Sequence, residues 1–171
     1  MQNDSFMRYC PFIGLAILLG ACTARLPADV ELVAVRAVQP DLRPAALTAN
    51  PPPHLLQVAF ASRVNLARFV TVNSYSLGVE ADFCDGAEAS QPLVVSGLYW
   101  QGRPLVPGEP GPVRHGGDDR LLDYTFLLDA EKAGARSADI CFNIAGGNEE
   151  RGYRSNTVVI PQVEIALALR Q

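Results

Sequence analysis

The side chains best able to do chemistry are few and scattered. Of the two histidines, His54 follows Pro51-Pro52-Pro53 and His115 stands in the Gly- and Pro-rich stretch 107–119. Nucleophilic hydrolysis needs a Ser or Cys beside a His that an acid orients. Neither His lies near a nucleophile elbow or a catalytic cysteine, so both read as solvated loop residues. Asp118 and Asp119, with Asp123 close by, miss the alternate-position spacing of a calcium loop. They read as a charged loop rim, and no metal or cofactor is expected. Gly116-Gly117 and Gly146-Gly147 do not lead from a strand into a helix in a phosphate-binding pattern and read as turn residues. Glycosidase chemistry needs two carboxylates facing across a cleft, whereas Asp and Glu are scattered singly here. The chain is therefore expected to be non-enzymatic. One cluster is of the recognition type: Arg151, Tyr153 and Arg154 in the polar loop 146–156. Tyr and Arg are enriched at binding hot spots, and loops held by strands are where such residues act, so these three are the candidate partner-binding residues.

The other reactive side chains are the four cysteines. Cys22 directly follows Leu19-Gly20-Ala21 at the end of the apolar run from Tyr9 to Leu18. That run is too short, with the wrong flanks, for a spanning helix, and small residues before the cysteine suit a narrow peptidase pocket. The first 22 residues resemble a bacterial lipoprotein signal, the lipobox class cut by signal peptidase II. The resemblance implies that residues 1–21 are removed, that the Cys22 thiol carries a diacylglycerol, and that the new amino terminus is acylated, palmitate being the expected acid. Two or three acyl chains anchor firmly where one binds only marginally. Thr23 follows the cysteine, where the class retains proteins at the inner membrane chiefly when an Asp stands there. A place on the outer membrane, facing the periplasm or the cell surface, is the resulting expectation. Asp4 offsets Arg8 in a region that is usually basic, so a start at Met7 fits the class better than one at Met1.

With Cys10 in the signal and Cys22 acylated, Cys84 and Cys141 remain, and two thiols allow one pairing. In an oxidising envelope compartment a disulfide is expected. Removing residues 1–21 leaves about 150 residues, a length suited to one domain with a real core. Only Asp4 and Arg8 are lost among charged residues, so the net charge stays at -4. An acidic chain of this kind argues against nucleic acid and against a polybasic membrane patch. Residues 22–29 read as the acylated cysteine and a short tether, and 30–171 as a single domain.

The elements that must carry these residues are read from periodicity. Val30 to Val38 is rich in β-branched residues and reads as a strand. Gln39 to His54, with five prolines, reads as a connection. Strand alternation marks Leu56, Val58 and Phe60; Val79, Ala81 and Phe83; Leu122, Tyr124, Phe126 and Leu128; and Ile140, Phe142 and Ile144. Between them, 62–74 reads as a short helical turn or loop, 93–100 as a strand, Gln101-Gly102 as a tight reversal, and 130–137 as a polar link. Val158 and its neighbours, 157–160, return as a strand, and 163–169 is expected to close the sheet. The class is all-β: one antiparallel β-sandwich, immunoglobulin-like or of another Greek-key topology. Both cysteines fall on the polar faces of their strands, which places the bridge near the surface and not between the two sheets as in antibody domains. Trp100 sits beside a turn, and Asp139 stands where that family has a tyrosine. The size, anchor and all-β class are also similar to those of the small outer-membrane lipoprotein of the type VI secretion membrane complex. The function expected is that of a lipid-anchored binding or assembly-support module with an envelope protein partner. The alternative is a periplasm-facing hydrolase or carbohydrate-binding module.

Overall fold

The computed structural model describes residues 24–25, 30–38, 51–73, 75–86, 91–106, 122–147 and 152–171, with backbone only at 24, 25, 71–73, 122 and 153. The signal 1–21, Cys22, the loop 107–119 with His115, Asp118 and Asp119, and Arg151 lie outside the described residues.

The strongest alternating segments make the centre of two packed sheets. In the first, β2 (Val30–Ala37) pairs antiparallel with β3 (Leu55–Ser62), which pairs with β7 (Leu122–Asp129). The sheet ends in the small hairpin of β5 (Tyr99–Trp100) and β6 (Arg103–Pro104). In the second, β8 (Ile140–Gly147) is central. One of its edges takes β4 (Ser76–Phe83), and the other takes β9 (Gly152–Arg154) and β10 (Val158–Ile160) in succession. A two-residue strand, β1 (Ala24–Arg25), runs parallel to β9. The architecture is the expected all-β sandwich.

The expected inward faces are the core. Leu56, Val58, Phe60, Tyr124, Phe126, Leu128, Ile140, Phe142 and Ile144 are all fully buried. Phe142 of one sheet meets Phe126 and Phe60 of the other at ring-centroid distances of 5.0 and 5.8 Å. Because the side-chain period of a strand is two, this one contact fixes which face of each sheet is inside. Leu127 and Asp129, on the expected outer face of β7, are buried as well. Segment 92–97 runs along β7 at this point, with Val95 N–H donating to the Leu127 carbonyl and Asp129 N–H to that of Leu93, both at 3.0 Å.

Among the described residues three helices sit at the ends of strands. Over 62–74 the expected helical turn is α1 (Leu66–Asn73), whose first turn is capped when Arg68 N–H donates to Asn65 Oδ1 at 2.9 Å. Leu66 N–H, another donor the helix leaves open, is bonded to the hydroxyl of fully buried Tyr124 at 3.0 Å. Tyr124→Phe should therefore cost about 1–3 kcal/mol, the penalty for a buried donor left unpaired. The check is a lower denaturant midpoint with an unchanged slope.

The sequence expectations need correction at three elements. The polar link 130–137 holds α2 (Ala130–Gly134), started by Asp129, whose Oδ1 accepts from the N–H groups of Glu131 and Lys132. Segment 93–100 is not one strand: Val94 makes an isolated bridge to Leu128, and only Tyr99–Trp100 is extended and paired. Segment 163–169 does not close a sheet but forms α3 (Gln162–Ala168). Its alternation is ambiguous, because Ile165 and Ala168 also fit one helical face, and these are the residues buried. The edge it would have joined is already taken by β10. Asp139 Oδ1 accepts the Gln162 N–H at 2.8 Å, supplying from elsewhere the cap that Pro161 lacks. Gly134 of α2 leaves the space that Leu169, just after α3, occupies: a Cβ there would come within 2.7 Å of Leu169 Cδ1.

The reversal at Gln101-Gly102 is as expected. Both residues have positive φ, 49° and 74°, as a two-residue hairpin turn of the primed kind demands. Burial raises the pKa of the Tyr99 hydroxyl just before it.

Candidate functional site

The loop 146–156 is tighter than its composition suggests. β8 continues to Gly147 and β9 begins at Gly152, with Gly147 opposite Gly152 and Ala145 opposite Arg154. Ser155 then interrupts the edge. Its N–H donates to the Ile144 carbonyl and its Oγ accepts the Ile144 N–H, at 2.8 and 2.9 Å, while the register moves by one residue before Val158 pairs with Phe142. This is a β-bulge. Asn156, next in line, ties the two sheets together: its side chain accepts from Val30 N–H at 3.1 Å and donates to the Val30 carbonyl at 2.9 Å.

The outward face of the second sheet follows from these registers. Glu80 lies opposite Asn143 and Asp82 opposite Cys141, so successive polar residues of β4 and β8 share one side. Arg154 reaches across β8 to form an ion pair with Glu80, both side chains being about half exposed. Beneath this face Asn143 Oδ1 is buried and accepts no hydrogen bond, the single such side-chain atom among the described residues. These residues line a groove of about 650 Å³ whose second wall is the Pro92–Ser96 segment, with Leu93 and Val94 toward it. That wall is held by Leu127 N–H donating to Ser96 Oγ at 2.9 Å, and by the two backbone bonds that Val95 and Leu93 make with β7.

The expected site residues fall as follows. Cys84 and Cys141 are bridged, with Cα atoms 5.0 Å apart. The bridge joins neighbouring strands of one sheet at its outer face, as the polar positions of both residues imply, and does not cross the core. Arg154 is on the rim of the groove, Tyr153 is placed by its backbone in β9 opposite Gly146, and Arg151 is outside the described residues. His54 is exposed, and with Glu131 it lines a second, shallower cavity of about 430 Å³ in which no Ser, Thr or Cys takes part. Asp123 is exposed on β7 opposite Ala61. Among the described residues no three His, Cys, Asp or Glu side chains are grouped to hold a metal ion.

Sequence reasoning missed Asn143 and Glu80. Alternation puts both on polar faces, but nothing local says that β4 and β8 are neighbours, which is what brings them together. Comparison with known protein families, with curated proteins and with solved structures gave no match.

Proposed function

We propose that this chain is a lipid-anchored envelope protein that acts, without catalysis, as a binding or assembly-support module for another envelope protein. The observation that carries the binding part is the groove beside β4, which combines half-buried apolar side chains with an unsatisfied acceptor and a charged rim. Clefts of a few hundred Å³ with a small number of polar groups are where ligands and peptide segments dock. The anchor part rests on Leu19-Gly20-Ala21-Cys22, and the Cys84–Cys141 bridge supports an oxidising compartment. No helix among the described residues is long and apolar enough to cross a membrane.

Attachment and groove would be close neighbours. Cys22 precedes β1 by two residues, about 7 Å of extended chain, and β1 pairs with β9, which carries Arg154. The candidate residues Tyr153 and Arg154, both in β9, belong to the same end of the sheet.

Metabolic labelling with a fatty acid tests the anchor. The natural chain should incorporate label, and Cys22→Ala should incorporate none and remain soluble or unprocessed. Label on the Cys22→Ala protein would remove the anchor from this reading. Crosslinking in intact membranes tests the function: a stoichiometric protein partner is the expected product, whereas a retained glycan would favour a carbohydrate-binding module.

A further inference from the structure

Among the described residues four strand edges border the two sheets, and three of them are blocked. β2 carries an extra residue between Leu32 and Ala34, which turns Val33 outward and breaks the ladder. β6 is two residues long and ends on Pro104. The β9–β10 edge is interrupted at Ser155 and partly covered by β1. Bulges, prolines and short strands are how sheets avoid pairing with other chains. β4 has none of these devices. It is eight residues long and keeps one register with β8 from Ser76 to Phe83.

The hydrogen-bond parity of β4 is fixed by the bond beyond its end. Cys84 N–H donates to the Asp139 carbonyl at 2.9 Å, so Cys84 and Asp139 are a bonded pair. Bonded pairs alternate along an antiparallel ladder, so Asp82, Glu80 and Gly78 also bond to β8. Ser155 confirms this from the other side, since Ile144 turns its N–H and C=O toward Ser155 and leaves Asn143 and Ala145 to serve β4. The N–H and C=O groups of Leu77, Val79 and Ala81 then point away from β8, where no described residue pairs with them. At Phe83 the free edge stops, because its N–H donates to the Asp82 side chain and its carbonyl accepts from Gly86.

We infer that the free edge of β4 is a strand-addition site that takes an extended peptide segment of a partner protein, apolar at alternate positions and basic at the positions between. This rests on the binding reading above and specifies its chemistry. One side of the incoming strand would lie over Val79, Ala81 and Val94, which are packed on the core yet still partly exposed. The other side would lie beside Glu80 and Asp82, with the unsatisfied Asn143 Oδ1 behind them. Opposite charges on adjacent strands stabilise a pair and like charges oppose it. Basic side chains therefore fit, whereas a second copy of this chain would bring the same two carboxylates against them. Main-chain bonds supply affinity in strand addition, and alternate side chains supply specificity.

Hydrogen exchange of the intact chain, resolved to single amides, reads the inference directly. The probes are three eight-residue peptides: alternating Lys and Val, alternating Glu and Val, and four Lys followed by four Val. The Lys/Val strand should slow exchange at Val79 and Ala81 by at least tenfold while Gly78, Glu80 and Asp82 change little. The Glu/Val strand and the block peptide should do less. Ala81→Pro removes a donor that β8 does not use and should abolish the effect. Exchanging the ion pair, Glu80→Lys with Arg154→Glu, should remove the preference for Lys over Glu, and it serves should the proline variant not fold. Slow exchange at Val79 and Ala81 without peptide would mean that another part of the chain covers the edge, and slowing that grows with protein concentration would mean a second copy; either overturns the inference. So does the absence of any odd-residue effect with the Lys/Val strand. A photocrosslinker at Val94, compared with one at exposed Val163 on α3, separates this from the wider reading. Capture of a membrane partner only from Val163 sinks the strand site and keeps the binding function, and capture from neither position sinks both.

Discussion

Phe142→Ala is expected to destabilise the fold by about 3–5 kcal/mol, the range for deleting a buried aromatic ring without collapse of the surroundings. The ring is fully buried and sits against Phe126 and Phe60; Phe60 in turn stacks on Tyr124 and meets Phe126 at a tilt. It is the side chain through which the second sheet meets the aromatic face of the first. Ile140 and Ile144 flank it at two-residue spacing on the same strand, and neither branched chain can fill a void of that size. The neighbouring control is Val159→Ala. Val159 lies on β10, where β10 pairs with β8, but it points outward and is 46% exposed, so its loss should stay within about 0.5 kcal/mol. Denaturant titration of the two variants checks both values. A small effect at Phe142 would mean that the sheets are not packed through this ring.

The prominence of Phe142 is legible from sequence, because Ile140-Cys141-Phe142-Asn143-Ile144 alternates cleanly and only one face can be buried. The same holds for Leu56, Val58 and Phe60 and for Tyr124, Phe126 and Leu128, whose burial is complete. Elements decided by distant neighbours are less legible. Residues 163–169 alternate as a strand would, yet they are helical because β10 already occupies the edge of β8 and Asp139 caps the turn after Pro161. α2 is short enough that its strongest local signal is Asp129 at the cap position, where the same residue also ends a strand. The groove is the extreme case. Glu80, Asn143 and Arg154 come from three strands, and the amides of Val79 and Ala81 face away from β8, with no partner among the described residues, only because β4 lies at the border of its sheet, a property of topology that no window of sequence contains.

Breaking the disulfide, by reduction or by Cys84→Ser with Cys141→Ser, is expected to lower stability by about 4 kcal/mol while leaving the native strand pairing in place. The figure follows from the chain entropy released when a 57-residue loop is opened in the unfolded state. It is an effect on the unfolded chain because the folded ends are held independently. Cys84 N–H remains bonded to the Asp139 carbonyl, and all of β4 stays in register with β8. The turn after β4 is further tied by Arg136, which pairs with Asp85 at 2.7 Å and lies over the Phe83 ring at 4.8 Å. Cys84 is exposed at this turn, so a thiol reductant can reach the bridge without global unfolding. For a chain of this size the loss corresponds to a fall in Tm of about 8–16 °C. The far-UV circular dichroism of the reduced protein should match that of the oxidised one at 25 °C, with a larger denaturant slope because the unfolded chain is less confined. Coincident melting curves with and without reductant would show that the two thiols are not joined in the purified protein. A lost native spectrum on reduction would show instead that Arg136 and the Cys84–Asp139 bond do not suffice to hold the end of β4.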